Sequence, residues 1–256
     1  MADPRINIIN ERLKEVKHVI AVSSGKGGVG KSLVASVLAL TLTRKGYKVG
    51  LFDMDFTSPS THVILGLEDL QPKEDKGVIP TQTYGLKYMS ITHYSREQAL
   101  PLRGADVSNA LIELFAVTRW NTLDFLVIDM PPGISDATLD TIRLVKGIKF
   151  LIVTTPSQLA FETVRKLIKL LKELKIPIIG VIENMKMKSS QLIRCQVENH
   201  GVKFLGEIPF DTKLEEAIGS VRMLMETDFA KKLEEIASNS FKGFSFERLG
   251  ACACKL

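Results

Sequence analysis

The sequence predicts an α/β protein in which a mostly parallel, twisted sheet is covered by helices on both faces. Short runs rich in β-branched residues alternate with longer helical patterns almost throughout the 256 residues. This alternation is typical of parallel strands joined by helical crossovers. Several of the short runs are nearly continuously apolar, as expected for strands that are buried on both faces. A glycine-rich loop also separates the first clear strand from the first clear helix.

The strands are predicted from short apolar runs that end in polar or glycine residues. The first run, Val-Ile-Ala-Val at 19–22, leads into the glycine-rich loop, and the next two runs end in aspartate. The predicted strands lie at 19–23, 48–53, 125–129, 150–154, 178–183 and 204–208. Between residues 77 and 91 the pattern indicates a short two-stranded ribbon.

The helices are predicted from longer stretches in which apolar residues recur three or four positions apart. They lie at 32–45, 105–117, 135–145, 160–174, 213–218 and 228–238. The whole chain, residues 1–256, is expected to form one domain with a core at about 16–240. Residues 1–15 and 241–256 are expected to be flexible tails.

Composition excludes several classes of function. The chain has 45% hydrophobic and 25% charged residues and a net charge of +5, which suits a folded domain. Lysines are scattered among glutamates without a basic stripe, so nucleic acid is not an expected partner, although acidic proteins remain possible partners. No apolar run reaches the ~18 residues that span a bilayer, so a membrane is not expected either. Three cysteines do not make a disulfide framework, and the sequence therefore predicts a cytoplasmic protein.

The most informative motif runs from Gly25 to Ser32 and fits the phosphate-loop pattern G-x-x-x-x-G-K-S/T at every fixed position. Its glycines let backbone N–H groups turn inward around a polyphosphate, and the following helix N-terminus adds a favourable dipole. Lys31 would reach the β- and γ-phosphates, and the Ser32 hydroxyl would hold Mg²⁺. The residues predicted to bind a nucleoside triphosphate are Gly25, Lys26, Gly27, Gly28, Val29, Gly30, Lys31 and Ser32.

Carboxylates follow two of the predicted strands. Asp53 and Asp55 stand at i and i+2 of a segment expected to be extended, so their side chains should point the same way. Asp55 is predicted to position the hydrolytic water and Asp53 to contact Mg²⁺ through a bound water, although such a pair can also cap a helix. Asp129 is predicted to be a further Mg²⁺ contact. Gly133, in a rigid Pro-Pro-Gly turn, is predicted to bring its N–H to the γ-phosphate.

Lys26 makes the loop more specific. The early lysine in K-G-G-x-G-K-S/T resembles the deviant phosphate loop of the ATPase group that includes MinD, ParA, the nitrogenase iron protein and the Mrp carriers. The resemblance implies a homodimer with nucleotide between the subunits, in which Lys26 reaches the phosphates of the partner subunit. Lys26, Lys31 and Asp55 are then the predicted catalytic residues. A cation beside developing γ-phosphate charge is what phosphoryl transfer requires. The alternative is that Lys26 is a solvated loop charge.

A longer stretch is similar to one branch of this group. Residues 127–136, Val-Ile-Asp-Met-Pro-Pro-Gly-Ile-Ser-Asp, resemble the signature of the Mrp-type nucleotide-binding proteins, ATPases of iron–sulfur cluster assembly and carriage. Further similar segments lie at 102–104, 120–126, 183–185 and 206–209. The resemblance implies about seven or eight strands, slow Mg²⁺-dependent ATP hydrolysis, and apo iron–sulfur proteins as clients. It also implies that Asn184 and the backbone near Pro209 cradle adenine, although Asn184 could equally be a turn residue.

The cysteines depart from this family. Its carriers place a Cys-x-x-Cys soon after the Glu-Asn-Met segment, and two subunits hold one 4Fe–4S cluster with four thiolates. Here residues 186–195 contain a single cysteine, Cys195, and His200 follows it five positions later. Cys252 and Cys254 form a Cys-x-Cys near the C-terminus, which either supplies four thiolates across a dimer or is an incidental reduced tail.

The leading functional prediction is an ATP-hydrolysing homodimeric switch that acts as an iron–sulfur cluster carrier or assembly factor, with ATP/ADP and Mg²⁺ as ligands. One alternative is a MinD- or ParA-like positioning ATPase that cycles on a membrane or on DNA. A second alternative is a nucleotide-gated regulatory adaptor that has lost cluster binding and acts through protein partners.

Overall fold

The computed structural model describes residues 3–68, 72–92, 105–188 and 191–241. Its strands are β1 (Val16–Ser24), β2 (Val49–Asp53), β3 (Lys73–Glu74), β4 (Val78–Ile79), β5 (Thr81–Thr83), β6 (Leu86–Ser90), β7 (Leu123–Asp129), β8 (Lys149–Thr154), β9 (Ile178–Lys186) and β10 (Phe204–Pro209). Within these residues, eight strands form one sheet in the order β10-β9-β8-β1-β7-β2-β6-β5. Strand β5 is antiparallel to β6, and the other neighbours in this sheet are parallel. The predicted α/β fold with about seven or eight mostly parallel strands is confirmed.

Helices cover both faces of this sheet. They are α1 (Arg5–Leu13), α2 (Lys31–Arg44), α3 (Thr61–Leu65), α4 (Ala105–Val117), α5 (Asp136–Leu144), α6 (Gln158–Glu173), α7 (Leu192–Asn199), α8 (Leu214–Ala217), α9 (Val221–Glu226) and α10 (Asp228–Ser240). None of the helices in the described residues combines the length and the hydropathy needed to cross a bilayer.

The core consists of two apolar clusters, one on each face of the sheet. Along β1, Val19 and Ala21 belong to the cluster beneath α1, α4, α5, α6 and α7, whereas Ile20 and Val22 belong to the cluster beneath α2 and α10. Successive strand residues point to opposite faces, so both sets are buried. This two-sided burial explains why the central strands read as continuous apolar runs.

The N-terminal residues differ from the expected tail, because they form α1, which packs against α4 and α5. Ile9 is fully buried, and Ile6 and Leu13 pack against the same cluster. The Arg12 Nε donates a hydrogen bond to the Ala116 carbonyl at 3.0 Å. The spacing of the three apolar residues gives one helical face, but a nine-residue helix is a weak sequence signal. At the other end, the expected tail at 241–256 begins one residue too early, because Phe241 is buried in the core, and residues 242–256 lie outside the described residues.

The ribbon predicted at 77–91 also differs from the structure. Strands β5 and β6 do form an antiparallel hairpin, with Tyr84 (φ +48°) and Gly85 (φ +77°) at its turn. However, β6 also pairs in parallel with β2 and is therefore a strand of the main sheet. Its buried residues Leu86, Tyr88 and Met89 gain more apolar contact there than a separate ribbon would provide.

Candidate active site

The glycine-rich loop joins β1 to α2 at the carboxyl edge of the sheet. Gly28 and Gly30 have φ values of +74° and +82°, a region that glycine adopts at little cost. A Cβ on Gly30 would lie 2.3 Å from Nδ2 of Asn184, and this amide donates to the Val29 carbonyl at 2.9 Å. The conformation of the loop and its close contact with Asn184 both require glycine at position 30.

Gly25 lies directly against α6. A Cβ at this position would be 2.1 Å from Thr163 Oγ1 and 2.7 Å from the Val164 backbone nitrogen. By contrast, a Cβ on Gly27 would meet nothing within 4 Å. The first turns of α6 therefore support the loop from behind, and only one of these two glycines is sterically required.

These two glycines form a matched pair for a stability measurement. We expect Gly25→Ala to lower the free energy of unfolding by about 1–3 kcal/mol, because backbone or Thr163 must move. Gly27→Ala should change it by about 0.5 kcal/mol or less. Urea denaturation of both variants measures the difference, and equal losses would show that α6 does not constrain the loop.

Lys31 brings together the charged residues that the sequence singled out. Its buried Nζ donates to Asp129 Oδ1 at 2.5 Å and to Ser32 Oγ at 3.3 Å, and it lies 3.9 Å from Asp55 Oδ2. Asp53 and Asp129 are register partners at the ends of β2 and β7. The parallel sheet therefore places residues that are far apart in sequence around one lysine.

Asp129 fits a magnesium site. It is fully buried, and this burial raises its pKa to about 7 although nearby Lys31 opposes the shift. Within the described part of the chain, its Oδ2 has no hydrogen-bond partner, which is unusual for a buried polar atom. Together with the Ser32 hydroxyl it offers the oxygen ligands that Mg²⁺ prefers.

Asp53 has a different set of partners. Its Oδ1 accepts a hydrogen bond from the Asp55 backbone at 3.1 Å, and its Oδ2 accepts from the Thr61 backbone at 3.1 Å and hydroxyl at 2.6 Å. The Thr61 hydroxyl also lies 2.9 Å from the Tyr88 hydroxyl. Burial raises the pKa of Asp53, although the Thr61 hydrogen bond opposes this. In this structure Asp53 fixes the loop between β2 and α3, and its role toward Mg²⁺ stays a prediction.

Asp55 lies beyond the end of β2, so it is not part of the extended segment from which its alignment with Asp53 was expected. Its Oδ1 accepts from the Thr57 hydroxyl at 2.7 Å and from the Ser58 backbone at 3.1 Å. Its Oδ2 faces Lys31. The loop thus holds one oxygen of Asp55 and directs the other to the phosphate loop, where a hydrolytic water would be needed.

One predicted nucleotide contact, that of Gly133, is arranged differently from the prediction, whereas the predicted roles of Lys26 and Pro209 stay predictions. The Gly133 N–H, assigned from the sequence to the γ-phosphate, instead donates to the Ser24 carbonyl at 2.8 Å, because the Pro-Pro-Gly turn folds back on the end of β1. Lys26 has an exposed side chain on the loop. Pro209 ends β10 as the register partner of Lys186 in β9, close in sequence to Asn184.

The predicted iron–sulfur ligands, Cys252 and Cys254, are not among the described residues, and their role stays a prediction; Cys195 and His200 do lie in the described part of the chain. Cys195 is exposed on α7, and the His200 ring stacks on Phe161 with centroids 6.2 Å apart. No group of three or more His, Cys, Asp or Glu side chains in the described ranges could hold a metal ion. Cys252 and Cys254 lie outside those ranges. The stretch 186–195, with its single thiol, does not fit a four-thiolate cluster.

Sequence reasoning missed Thr61 and Tyr88, which join Asp53 in one buried hydrogen-bonded set. A threonine just after Pro-Ser suggests a helix start, but nothing local connects it with a tyrosine 27 positions away. It also missed Lys186, which pairs with carboxylates on two strands.

The glycine-rich loop between β1 and α2, its buried lysine and the facing aspartates define the chain as a P-loop NTPase. A family model described as "ParA: NUBPL iron-transfer P-loop NTPase" matches residues 15–242. The chain belongs to this family.

Curated relatives carry names consistent with that family. An iron–sulfur cluster carrier protein of Aquifex aeolicus is 39% identical over 222 residues, which cover 80% of this chain and 61% of the relative. One of Pseudomonas fragi is 38% identical over 89% of this chain and 78% of the relative. The cytosolic Fe-S cluster assembly factor Nubp2 homolog of Anopheles gambiae is 36% identical over 81% of this chain and 88% of that protein. The chain thus spans less than two thirds of the Aquifex relative.

Solved structures agree on the fold. A nucleotide-binding protein of Archaeoglobus fulgidus in complex with ADP superimposes with a TM-score of 0.72 and 29% identity, covering 94% of this chain and 97% of that one. The cell division ATPase MinD of Pyrococcus furiosus gives a TM-score of 0.67 at 21% identity, covering 90% of this chain and 100% of that one. The MinD likeness supports the fold alone.

Proposed function

We propose that this chain is a Mg²⁺-dependent ATPase that works as a homodimeric switch in iron–sulfur cluster carriage or assembly. The main observation in support is that the buried Lys31 lies beside Asp129 and Asp55 at the phosphate loop. Two carboxylates and one lysine leave negative charge to be balanced by a cation, and the loop offers N–H groups to an anion. Magnesium bound to a nucleoside triphosphate meets both needs.

Each residue then has a definite task in hydrolysis. Lys31 exchanges its contact with Asp129 for the β- and γ-phosphates, and the loop from Gly25 to Ser32 donates backbone N–H groups to them. Ser32 and Asp129 would hold Mg²⁺, which neutralises phosphate charge when bound. Asp55 accepts a hydrogen bond from the attacking water and orients it. Lys26, exposed on the loop, reaches the phosphates of the partner subunit.

Asn184 and the Pro209 backbone are proposed to receive the base. Asn184 is almost fully buried and is held against the loop through Val29, and Pro209 ends the adjacent strand. An amide can both donate and accept, as recognition of adenine requires. This arrangement favours ATP, and the ADP complex of the Archaeoglobus protein supports an adenine nucleotide.

The proposed magnesium site makes a prediction about pH. Because burial raises the pKa of Asp129 to about 7, its carboxylate is protonated increasingly as the pH falls through that value, and protons compete with Mg²⁺. We expect the Mg²⁺-dependent part of ATP affinity to weaken between pH 8 and 6, by up to about tenfold per pH unit below the pKa. Calorimetric titration of the protein with ATP, with and without Mg²⁺, measures the Mg²⁺-dependent part of the ATP affinity at each pH.

An Asp129→Asn variant is the control for that titration, because protonation of ATP itself also changes over this range. The variant should bind ATP with no extra Mg²⁺-dependent affinity at either pH. If wild type and variant showed the same pH dependence, the ionisation of Asp129 would not govern metal binding.

The proposed cargo is an iron–sulfur cluster, and the proposed partners are a second copy of the chain and apo iron–sulfur proteins in the cytoplasm. The names of the relatives support this function. Because residues 186–195 contain one cysteine, the ligand pair proposed for the cargo is Cys252 with Cys254 from each subunit. The missing Cys-x-x-Cys also favours one second candidate, a nucleotide-gated adaptor that acts without a cluster.

Anaerobic reconstitution with iron and sulfide separates these two functions. A carrier should show a broad visible absorption band and about four irons per dimer, both lost in the Cys252→Ser/Cys254→Ser variant. Cys195→Ser serves as the matched single-thiol control and should retain the band. A colourless wild type would rule out the carrier, and the adaptor would then be tested by affinity capture of partners in ATP and in ADP.

A further inference from the structure

A buried lysine connects two strand ends beside the proposed base site. Lys186 Nζ lies 2.7 Å from Glu183 Oε2 and 3.2 Å from Glu207 Oε2. The lysine side chain is only 6% exposed, Glu183 is 1% exposed and Glu207 is 49% exposed. Lysine is rarely buried without a specific partner, so this arrangement calls for an explanation.

The two carboxylates belong to neighbouring strands. Glu183 in β9 and Glu207 in β10 are register partners, and the pairing shifts between Glu207 and Pro209. Beyond that shift, the Phe210 N–H donates to the Lys186 carbonyl at 2.9 Å. Lys186 therefore links β9 to β10 through its side chain and its backbone where the regular ladder is interrupted.

This link encloses the two positions proposed to contact the base. Asn184 lies between Glu183 and Lys186 in β9, and Pro209 lies between Glu207 and Phe210 at the end of β10. Asn184 is already fixed to the phosphate loop through Val29. The remaining freedom is the position of the β10 end relative to β9, which the contact between Lys186 and Glu207 restricts.

We propose that Lys186 and Glu207 are positioning residues that set the distance between Asn184 and the Pro209 backbone, and thereby select adenine over guanine nucleotides. The proposal rests on the nucleotide-binding function proposed above.

Stability alone does not account for the link. A buried ion pair contributes little net stability compared with an apolar pair of similar size, and the half-exposed contact with Glu207 is of the kind that contributes least. What such a link does provide is a defined geometry between two strand ends. Loss of the link should therefore change the preference for ATP over GTP more than it changes the free energy of unfolding.

Glu207→Gln is the most direct test. It removes the charge attraction between the strands but leaves Lys186 paired with Glu183, so no buried charge loses its partner. We expect KM for ATP to rise about twofold to fivefold, the factor that an exposed ion pair supports. The preference for ATP over GTP should fall by the same factor, with kcat for ATP unchanged. Glu207→Asp should restore part of the preference.

Glu198→Gln is the matched control, because Glu198 forms a similar exposed pair with Arg194 at 3.0 Å on α7. This variant should leave both KM and nucleotide preference unaltered. The double variant Glu183→Gln/Lys186→Met removes the whole link without leaving a buried charge unpaired, because the remaining carboxylate of Glu207 is half exposed, and should lower the preference further than Glu207→Gln does. Thermal unfolding of every variant confirms that it is folded.

The outcomes are distinct. Folded Glu207→Gln and double variants that keep the wild-type ATP/GTP ratio would overturn the positioning role, even if they were less stable. A reduced ratio with kcat preserved would support it. The wild-type titration decides the underlying function separately: a wild type that binds neither ATP nor GTP would overturn the nucleotide-binding proposal itself, and the positioning role with it.

Discussion

A Lys31→Ala variant is expected to lose ATP hydrolysis, with turnover falling by about 10³-fold or more. The side chain is the cation nearest to Asp129 and Asp55 at the phosphate loop, so its removal takes away the charge that would stabilise the transferring phosphoryl group. Release of phosphate from ATP, measured with excess Mg²⁺, gives the turnover.

Lys166→Ala is a suitable control because Lys166 is exposed on α6 and touches none of these groups. Both variants should remain folded, since Asp129 can take up a proton when its partner is removed. Undiminished hydrolysis by a folded Lys31→Ala variant would contradict the assignment of the site.

An Asp55→Asn variant is expected to separate binding from hydrolysis. Its amide can still accept from Thr57 and Ser58 through one oxygen, so the loop should keep its shape. The second carboxylate oxygen, which faces Lys31, is lost, and kcat should fall by about 10²–10⁴-fold. ATP binding should change by less than about tenfold. Single-turnover hydrolysis and calorimetric binding, measured on the same preparation, give the two quantities.

Asp75→Asn is the control for this variant, because Asp75 is an exposed aspartate on a surface turn. If Asp55→Asn hydrolysed ATP at the wild-type rate, another group would have to position the water. If instead it lost ATP binding altogether, Asp55 would be a binding residue, and the assignment to water positioning would be wrong.

Local patterns allowed the central part of the site to be predicted from the sequence. The phosphate loop, Lys31 and Asp129 each follow or precede a strongly apolar strand, and parallel strands bring their carboxyl ends to one edge. The proximity of Lys31 and Asp129 could therefore be expected without any knowledge of distant contacts. The early lysine, Lys26, and the 127–136 segment were enough to indicate the family that the comparisons then confirmed.

Long-range contacts account for what the sequence did not predict. Helix α1 is too short to be evident until its apolar face meets α4, and β6 joins the main sheet because β2 offers it a partner. The contact between Thr61 and Tyr88 joins a helix start to a distant strand. Gly133 was assigned to the phosphate from its turn alone, whereas the fold gives its N–H a partner in Ser24.

The packing of α1 has a consequence for synthesis on the ribosome. Arg12 and its acceptor at Ala116 are separated by 104 positions, so the helix is made long before the surface that covers it. At about 5–20 residues per second, translation leaves this amphipathic segment without its partner for about 5–20 s. During that interval Ile6, Ile9 and Leu13 are exposed apolar groups on the nascent chain. Helix α1 is therefore made well before the surface that secures it, and a chaperone that binds short apolar segments would find its target there.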